Sequence, residues 1–193
     1  MFTNEQLKQL IQGEMIGEVF PYNAGDEQQI FSYLKRIKAE LERSKRIECD
    51  QELLHFGSGY ASYMQWFVYE KSAVTRLERA GGLVEAEKIG LVVQISMLAP
   101  VVLIGKGEKR DDYFEGEWQS GGVNSLINPQ SLLIPTHLTE LYESLQRLFM
   151  KYNYSILRKE DVEKPLPFKA NIATIFREPR EYLIWDAIFY WMD

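Results

Sequence analysis

The residues most able to do chemistry are few: two histidines, His55 and His137, and one cysteine, Cys49. Neither histidine has a second His or Cys at the short spacing that tetrahedral zinc needs, and one thiol forms neither an intrachain disulfide nor a Cys-based zinc site. His55 sits in the apolar Leu53–Phe56 run, where a core or sheet-edge histidine belongs. His137 follows a helix start and reads as a first-turn surface residue. A catalytic triad is recognised by geometry that a sequence does not carry. No catalytic, cofactor-binding or metal-binding residue is therefore assigned, and no cofactor is expected.

Two glycine pairs invite a phosphate-binding reading and fail it. Gly57-Ser58-Gly59 and Gly105-Lys106-Gly107 lack the four residues between glycines, and the following Lys-Ser/Thr, of a P-loop, and no dinucleotide fingerprint is present. Ser58 is not set in the Gly-x-Ser-x-Gly pattern of a nucleophile elbow. Both segments read as turns. Lys35, Arg36, Lys38, Arg43, Lys45 and Arg46 crowd one stretch, but Glu40 and Glu42 interleave with them and an apolar stripe runs beneath. That pattern is a solvated helix face. The net charge of −6 also opposes a nucleic-acid partner, because phosphate binding needs a basic face that releases counterions.

The best recognition segment is Glu108–Gln119, the most polar part of the chain. Asp111, Asp112, Glu115 and Glu117 stand there beside Tyr113, Phe114 and Trp118. The carboxylates lack the alternating spacing of a calcium loop. Acids with neighbouring aromatics suit a protein partner instead, since Tyr and Trp anchor interfaces and charge steers encounter. The segment is expected to be an exposed loop, so that neutralising its four carboxylates together would spare stability.

The chain closes on Tyr182–Asp193, where Trp185, Phe189, Tyr190 and Trp191 meet only Asp186 and Asp193 as charges. As a helix it follows Pro179 and Glu181, which favour a helix start; as a strand, Leu183, Trp185, Ala187, Phe189 and Trp191 share a face. The helix is preferred. Either way the segment requires burial, in the core or partly against a second copy, so a homo-oligomer is a further expectation.

Several elements must position these segments. Thr3 and Gln6 have capping-box spacing ahead of Leu7, Leu10 and Ile11. Ile30, Leu34, Ile37 and Leu41 form a helical stripe, with Arg36/Glu40, Lys38/Glu42 and Glu42/Arg46 as outward pairs. Tyr60–Lys71, Leu91–Ser96 and Val101–Ile104 are dense in aromatic and β-branched residues and read as strands. Apolar residues at 91, 93, 95, 97, 99, 101 and 103 suggest one continuous sheet face, with Pro100 marking a bulge, bend or edge. Gly81-Gly82 suits a hairpin, although Ser72 capping a short helix over Ala73–Ala80 also fits. Leu138, Leu141, Leu145 and Leu148 mark a helix over Thr136–Tyr152, N-capped by Thr136.

This order lacks a regular βαβ alternation. It predicts one α+β domain over residues 1–193, a mostly antiparallel sheet with N-terminal and C-terminal helices segregated to one face. With 46% apolar and 26% charged residues, the composition is that of a globular protein. No apolar run is long enough to span a bilayer, and no basic-then-apolar leader is seen, so a cytoplasmic location away from membranes is expected. The expected function is a non-enzymatic protein-binding module, such as an inhibitor or immunity-type protein acting through the acidic aromatic segment. Two alternatives stay open: a hydrolase or transferase with scattered carboxylates and tyrosines, and an aromatic-lined small-molecule binder.

Overall fold

The computed structural model describes residues 2–52 and 59–192; the readings made for His55 and for Gly57-Ser58 lie outside the described residues. Helix α1 spans Asn4–Ile11 and starts as its sequence dictates: Thr3 Oγ1 accepts from Gln6 N–H while Gln6 Oε1 accepts from Thr3 N–H. Helix α2, Glu27–Leu41, is N-capped by Asp26 and buries Ile30, Leu34, Ile37 and Leu41. Of its predicted outward pairs, Lys38 meets Glu42 at 3.6 Å, whereas Glu40 turns to Lys151 and Tyr152 at 2.6 Å each.

Strand β1 is Ile47–Glu52, β2 is Tyr60–Ala61, β3 is Tyr63–Glu78, β4 is Leu83–Ser96, β5 is Val101–Phe114 and β6 is Glu117–Val123. Helix α3, Thr139–Lys151, precedes strand β7, Ser155–Ile156, helix α4, Lys159–Val162, helix α5, Ile184–Ile188, and strand β8, Trp191–Met192. The six-stranded sheet runs β1-β3-β4-β5-β6 with every neighbour antiparallel, and β7 adds in parallel to the start of β5. The fold is α+β, as the element order implied. A β3–β4 hairpin turns at Ala80–Gly82, so the alternative helix over Ala73–Ala80 does not form.

One architectural expectation is overturned: the helices lie on both faces of the sheet. Trp66 and Val68 of β3, Leu91, Val93 and Ile95 of β4, and Val102 and Ile104 of β5 pack against α2 and α3. Phe67, Tyr69, Val92 and Leu103 face the other way, against α1, α5 and the C-terminal segment. A strand half that is apolar at consecutive positions has two faces to hide, so one helical layer cannot cover it.

The parity of the 91–103 run breaks for a related reason. Met97–Pro100 is the turn of the β4–β5 hairpin, held by Ser96 Oγ, which accepts from Leu98 and Ala99 N–H at 3.2 Å. Ile95 stands opposite Val102 and Val93 opposite Ile104. Residues 101 and 103 therefore face away from 91, 93 and 95.

The C-terminal segment is helix first and strand second. Asp186 accepts from Leu183 N–H at 2.8 Å and starts α5, and the chain leaves the helix at Phe189 to pair β8 with β2. Trp185, Ile188 and Phe189 are completely buried within the chain itself. Thr136 opens a 3-10 turn ahead of α3 rather than capping it, while Leu138, Leu141, Leu145 and Phe149 supply the buried stripe. Among the described residues, no helix is long and apolar enough to cross a membrane.

Candidate functional site

The helical layers cover only part of the sheet. The far halves of β3, β4 and β5, from about Ser72 to Glu87 and from Glu108 onward, continue with β6 as a four-stranded arm. Segment Glu108–Gln119, expected as a loop, is instead strand, turn and strand. The turn is Glu115-Gly116, both at positive φ, 50° and 86°, and Gly116 is suited to that conformation because it has no Cβ to clash. The reversal is set by pairing with β4, whose register with β5 continues without a break from Ile95–Val102 to Leu83–Phe114; the run Glu108–Asp112 has no polar–apolar alternation that would mark a strand.

Strand register divides the predicted recognition residues between two faces. Asp111, Tyr113 and Trp118 lie on the face continuous with the C-terminal core, since Ala86 opposes Asp111 and Tyr113 opposes Trp118. Asp112, Phe114 and Glu117 lie on the face continuous with α2 and α3. A register shift between Asp112 and Tyr113 leaves Gln119 as the extra residue of β6. Glu115 occupies the turn.

On the C-terminal face the acids are consumed internally. Asp111, 3% exposed, binds Lys88 Nζ at 2.8 Å and accepts from Trp118 Nε1 at 3.2 Å. Lys109 Nζ meets Asp50 of β1 at 2.6 Å, and Lys88 lies 3.6 Å from the same carboxylate. Lys88 also sits over the Tyr69 ring, 4.9 Å from its centre, and Tyr69 donates to Glu48 at 2.5 Å. Burial alone pushes the Lys88 ammonium down, but the contact with Asp111 and the charge of Asp50 outweigh it and hold it above its ordinary value. This network ties β1, β4, β5 and β6 together. Asp111 is thus engaged within the sheet, so neutralising it together with the other three acids is expected to cost stability.

The glycines of Gly105-Lys106-Gly107 have packing roles. A Cβ on Gly105 would lie 2.1 Å from the Ser131 carbonyl oxygen, and one on Gly107 would lie 2.9 Å from the Phe67 ring. They let a loop and an aromatic ring approach β5, rather than cradling a phosphate.

The opposite face of the arm is bare. A surface chain of ion pairs runs across it, Arg79–Glu85–Arg110–Asp112, at 2.8 to 3.1 Å. Asp112 is held below its ordinary value by Arg110 and then by Ser120. Between these charges stand Leu77 at 38%, Ile89 at 42% and Phe114 at 44% exposure. Ile89 and Leu77 were not singled out in the sequence. Leu77 carries a signal, an apolar residue between Arg76 and Glu78, whereas Ile89 adjoins the apolar run from Leu91 and carries none.

Elsewhere, a cleft of about 420 Å³ lies between α1, β7 and α5, lined by Phe2, Leu7, Leu157, Ile184 and Ile188 with Asn4, Ser155 and Asp161 among them. His137 is exposed at the start of α3. Cys49 is buried, and that burial pushes its thiol up to about 12, far from the range of a reactive thiolate. Among the described residues, no three His, Cys, Asp or Glu side chains gather as a metal-ion set. Comparison with protein-family models, curated proteins and solved structures yields no match.

Proposed function

We propose that this chain is a protein-binding module whose partner docks on the arm formed by β3–β6. One observation carries the reading. The same sheet face that α2 and α3 cover over Trp66, Val68 and Leu91 continues uncovered over Leu77, Ile89 and Phe114. These apolar side chains stand apart from one another with Glu85, Glu87, Arg110 and Asp112 among them, as single anchors set in a polar surround do at interfaces. Trp118, 59% exposed on the opposite face, offers a second anchor at the same end of the molecule.

An inhibitor or immunity-type role is the specific form of this reading. It is supported by the net charge of −6, which suits a basic partner, and by the rigid strand scaffold, which presents Phe114 and Trp118 with little ordering cost on binding. Glu115 and Glu117 at the exposed turn, not Asp111, would supply the acidic steering.

The test is affinity capture from native lysate with the wild type, with a Leu77→Ser/Phe114→Ser variant and with Leu133→Ser, an exposed apolar position off the arm. Loss of a specific partner with the arm variant and retention with Leu133→Ser are expected. Equal capture by all three overturns the reading.

A further inference from the structure

We propose that a hollow in the connection between α4 and α5 binds a small organic anion, a flat apolar body carrying one carboxylate, sulfonate or phosphate group. The hollow shares no residue with the arm, so this site is separate from the docking surface above. Residues 163–183 hold neither helix nor strand beyond a single bridge between Pro165 and Leu183. Connections of this kind longer than about 12–15 residues are uncommon inside a compact domain, and ordered ones are usually binding loops or lids.

This connection is tied down at its base. Leu166 N–H donates to Tyr182 O and Ile184 N–H to Lys164 O, each at 2.9 Å. The Tyr182 hydroxyl donates to Ile172 O at 2.7 Å and accepts from Ile172 N–H at 3.3 Å. Glu181 N–H closes a turn onto Glu178 O at 2.9 Å, with Pro179 where its fixed φ suits the turn.

The segment so held encloses about 640 Å³, within the range of about 300–1,000 Å³ usual for small-molecule sites. Leu166, Phe168 and the Tyr182 ring give it an apolar wall, and the exposed Pro165, Pro167 and Pro179 border it. The Tyr182 hydroxyl is spent on Ile172, so that residue offers its ring alone. Prolines hold the backbone in few conformations, which lowers the ordering cost of binding.

The charged side chains on the lining are Lys169 and Arg180, and no carboxylate is among them. Among the described residues neither cation has an ion pair. Nearby acids are committed elsewhere or turned aside: Glu163 meets Lys159 at 3.6 Å and Asp186 meets Arg177 at 2.5 Å. Glu178 and Glu181 share the turn with Arg180, yet they do not line the hollow. Ring faces and aliphatic carbons beside two unspent cations complement an apolar anion, because the guanidinium fork and the ammonium both bind an oxyanion head. A neutral apolar ligand would leave the cations unused, and inorganic phosphate would leave the apolar wall unused.

The probe is anilinonaphthalene sulfonate, and phenylnaphthylamine, the same kind of ring system without the anion, is its neutral control. Fluorescence titration of the full chain gives the affinity, and backbone amide shifts locate the site. Saturable binding of the sulfonate is expected, at least tenfold tighter than the amine, with shifts centred on Phe168, Lys169, Arg180 and Tyr182. Lys169→Glu/Arg180→Glu should weaken the sulfonate at least tenfold and leave the amine unaltered. Lys45→Glu/Arg46→Glu, the same change of charge on exposed residues outside the hollow, should alter neither. Circular dichroism establishes that each variant is folded, and Arg180→Gln alone decides the matter if the double variant is not. Naphthoate, a carboxylate on a similar body, should displace the sulfonate.

Equal affinity for sulfonate and amine, shifts confined to the cleft beside α1 or to the arm, or unaltered sulfonate affinity in the hollow's charge variants overturns the proposal. Displacement by a short polyglutamate peptide and not by naphthoate overturns it in favour of an acidic protein segment. Leu77→Ser/Phe114→Ser, which tests the arm, should leave sulfonate binding unchanged, so the docking reading and this site fail separately.

Discussion

Strands β3, β4 and β5 each run from a covered half into a bare half, so one strand can be compared with itself. In β3, residues 63–69 are buried on both sides of the sheet, whereas 75–78 are exposed. In β4 the order is reversed along the chain: Glu87 and Ile89 are exposed, and Leu91 to Ser96 are fully enclosed. Backbone pairing is continuous through both halves of β4 and β5, so hydrogen bonding does not distinguish them. Side-chain partners do. The covered half is held by apolar burial, and the bare half by cross-strand ion pairs and the network around Lys88. A region held this way keeps its shape while leaving apolar side chains available, which is what a preorganised binding surface requires.

The comparison predicts a graded response to substitution. The largest effect belongs to the covered half, where Trp185→Ala should cost roughly 3–5 kcal/mol, as truncation of a buried aromatic does; urea unfolding measures it. Removing Tyr182–Asp193 altogether should abolish cooperative folding, because Trp185, Ile188 and Phe189 are enclosed by the same chain. A truncated chain that still unfolds cooperatively would break the assignment of this segment to the core.

Asp111→Asn comes next. It leaves Lys88 without its closest anion, and breaking a buried pair costs about 3–5 kcal/mol. The lower end of that range is expected here, because the Lys88 side chain keeps 12% exposure and water screens part of the charge. Asp112→Asn, on the exposed ion chain, should change stability far less than Asp111→Asn, because solvent screens that pair. Equal effects of the two would show that the arm's faces are not held differently.

A smaller effect is readable in pH dependence. Glu48 is held below its ordinary value, first by the Tyr69 hydroxyl and then by Lys71, against the opposing effect of burial. A carboxyl lowered in the folded state contributes stability that is present above its unfolded value and is lost as pH falls through the folded one. Glu48→Gln should therefore reduce stability at pH 7 by less than about 1 kcal/mol, given its exposure, and narrow the difference between pH 7 and pH 3. Asp186 acts with the opposite sign. Burial raises it, despite Leu183 N–H and Arg177, so its contribution declines as pH rises from the ordinary carboxylate range through the raised value. An unchanged pH 7 to pH 3 difference in Glu48→Gln would remove the Tyr69–Glu48 contact from the account.

The smallest effect is expected on the bare floor. Ile89→Ser and Leu77→Ser should shift stability by no more than about 0.5 kcal/mol, as surface substitutions do. A loss of several kcal/mol in either would mean that this floor belongs to the core.

Much of the local structure was legible because its causes are local. Thr3 and Gln6 cap α1 by their spacing alone, the stripe from Ile30 to Leu41 needs only the helical period, and Gly81-Gly82 supplies the positive φ of a tight turn. For the candidate site, the residue types were legible and their arrangement was not. Phe114 and Trp118 stand out as aromatics in an acidic segment, yet the extra residue at Gln119 decides which faces they take. Asp111 looks like a surface acid until Lys88 is seen diagonally across the strand pair from it, 23 positions earlier in the chain.

Short-range periodicity and capping chemistry thus determined the α+β class, the start of α1, the apolar stripes of α2 and α3 and the inner parts of β3, β4 and β5 from the sequence alone. Only the tertiary structure decided that helices cover both sheet faces, that residues 91–95 and 101–103 change parity across Met97–Pro100, and which apolar side chains remain outside. The physical reason is that burial and charge compensation are set by partners distant in sequence. Asp50 meets Lys109, and Ser62 accepts from Tyr190 N–H, so whether such groups are spent in the core or left for a partner is settled only when the strands are brought together.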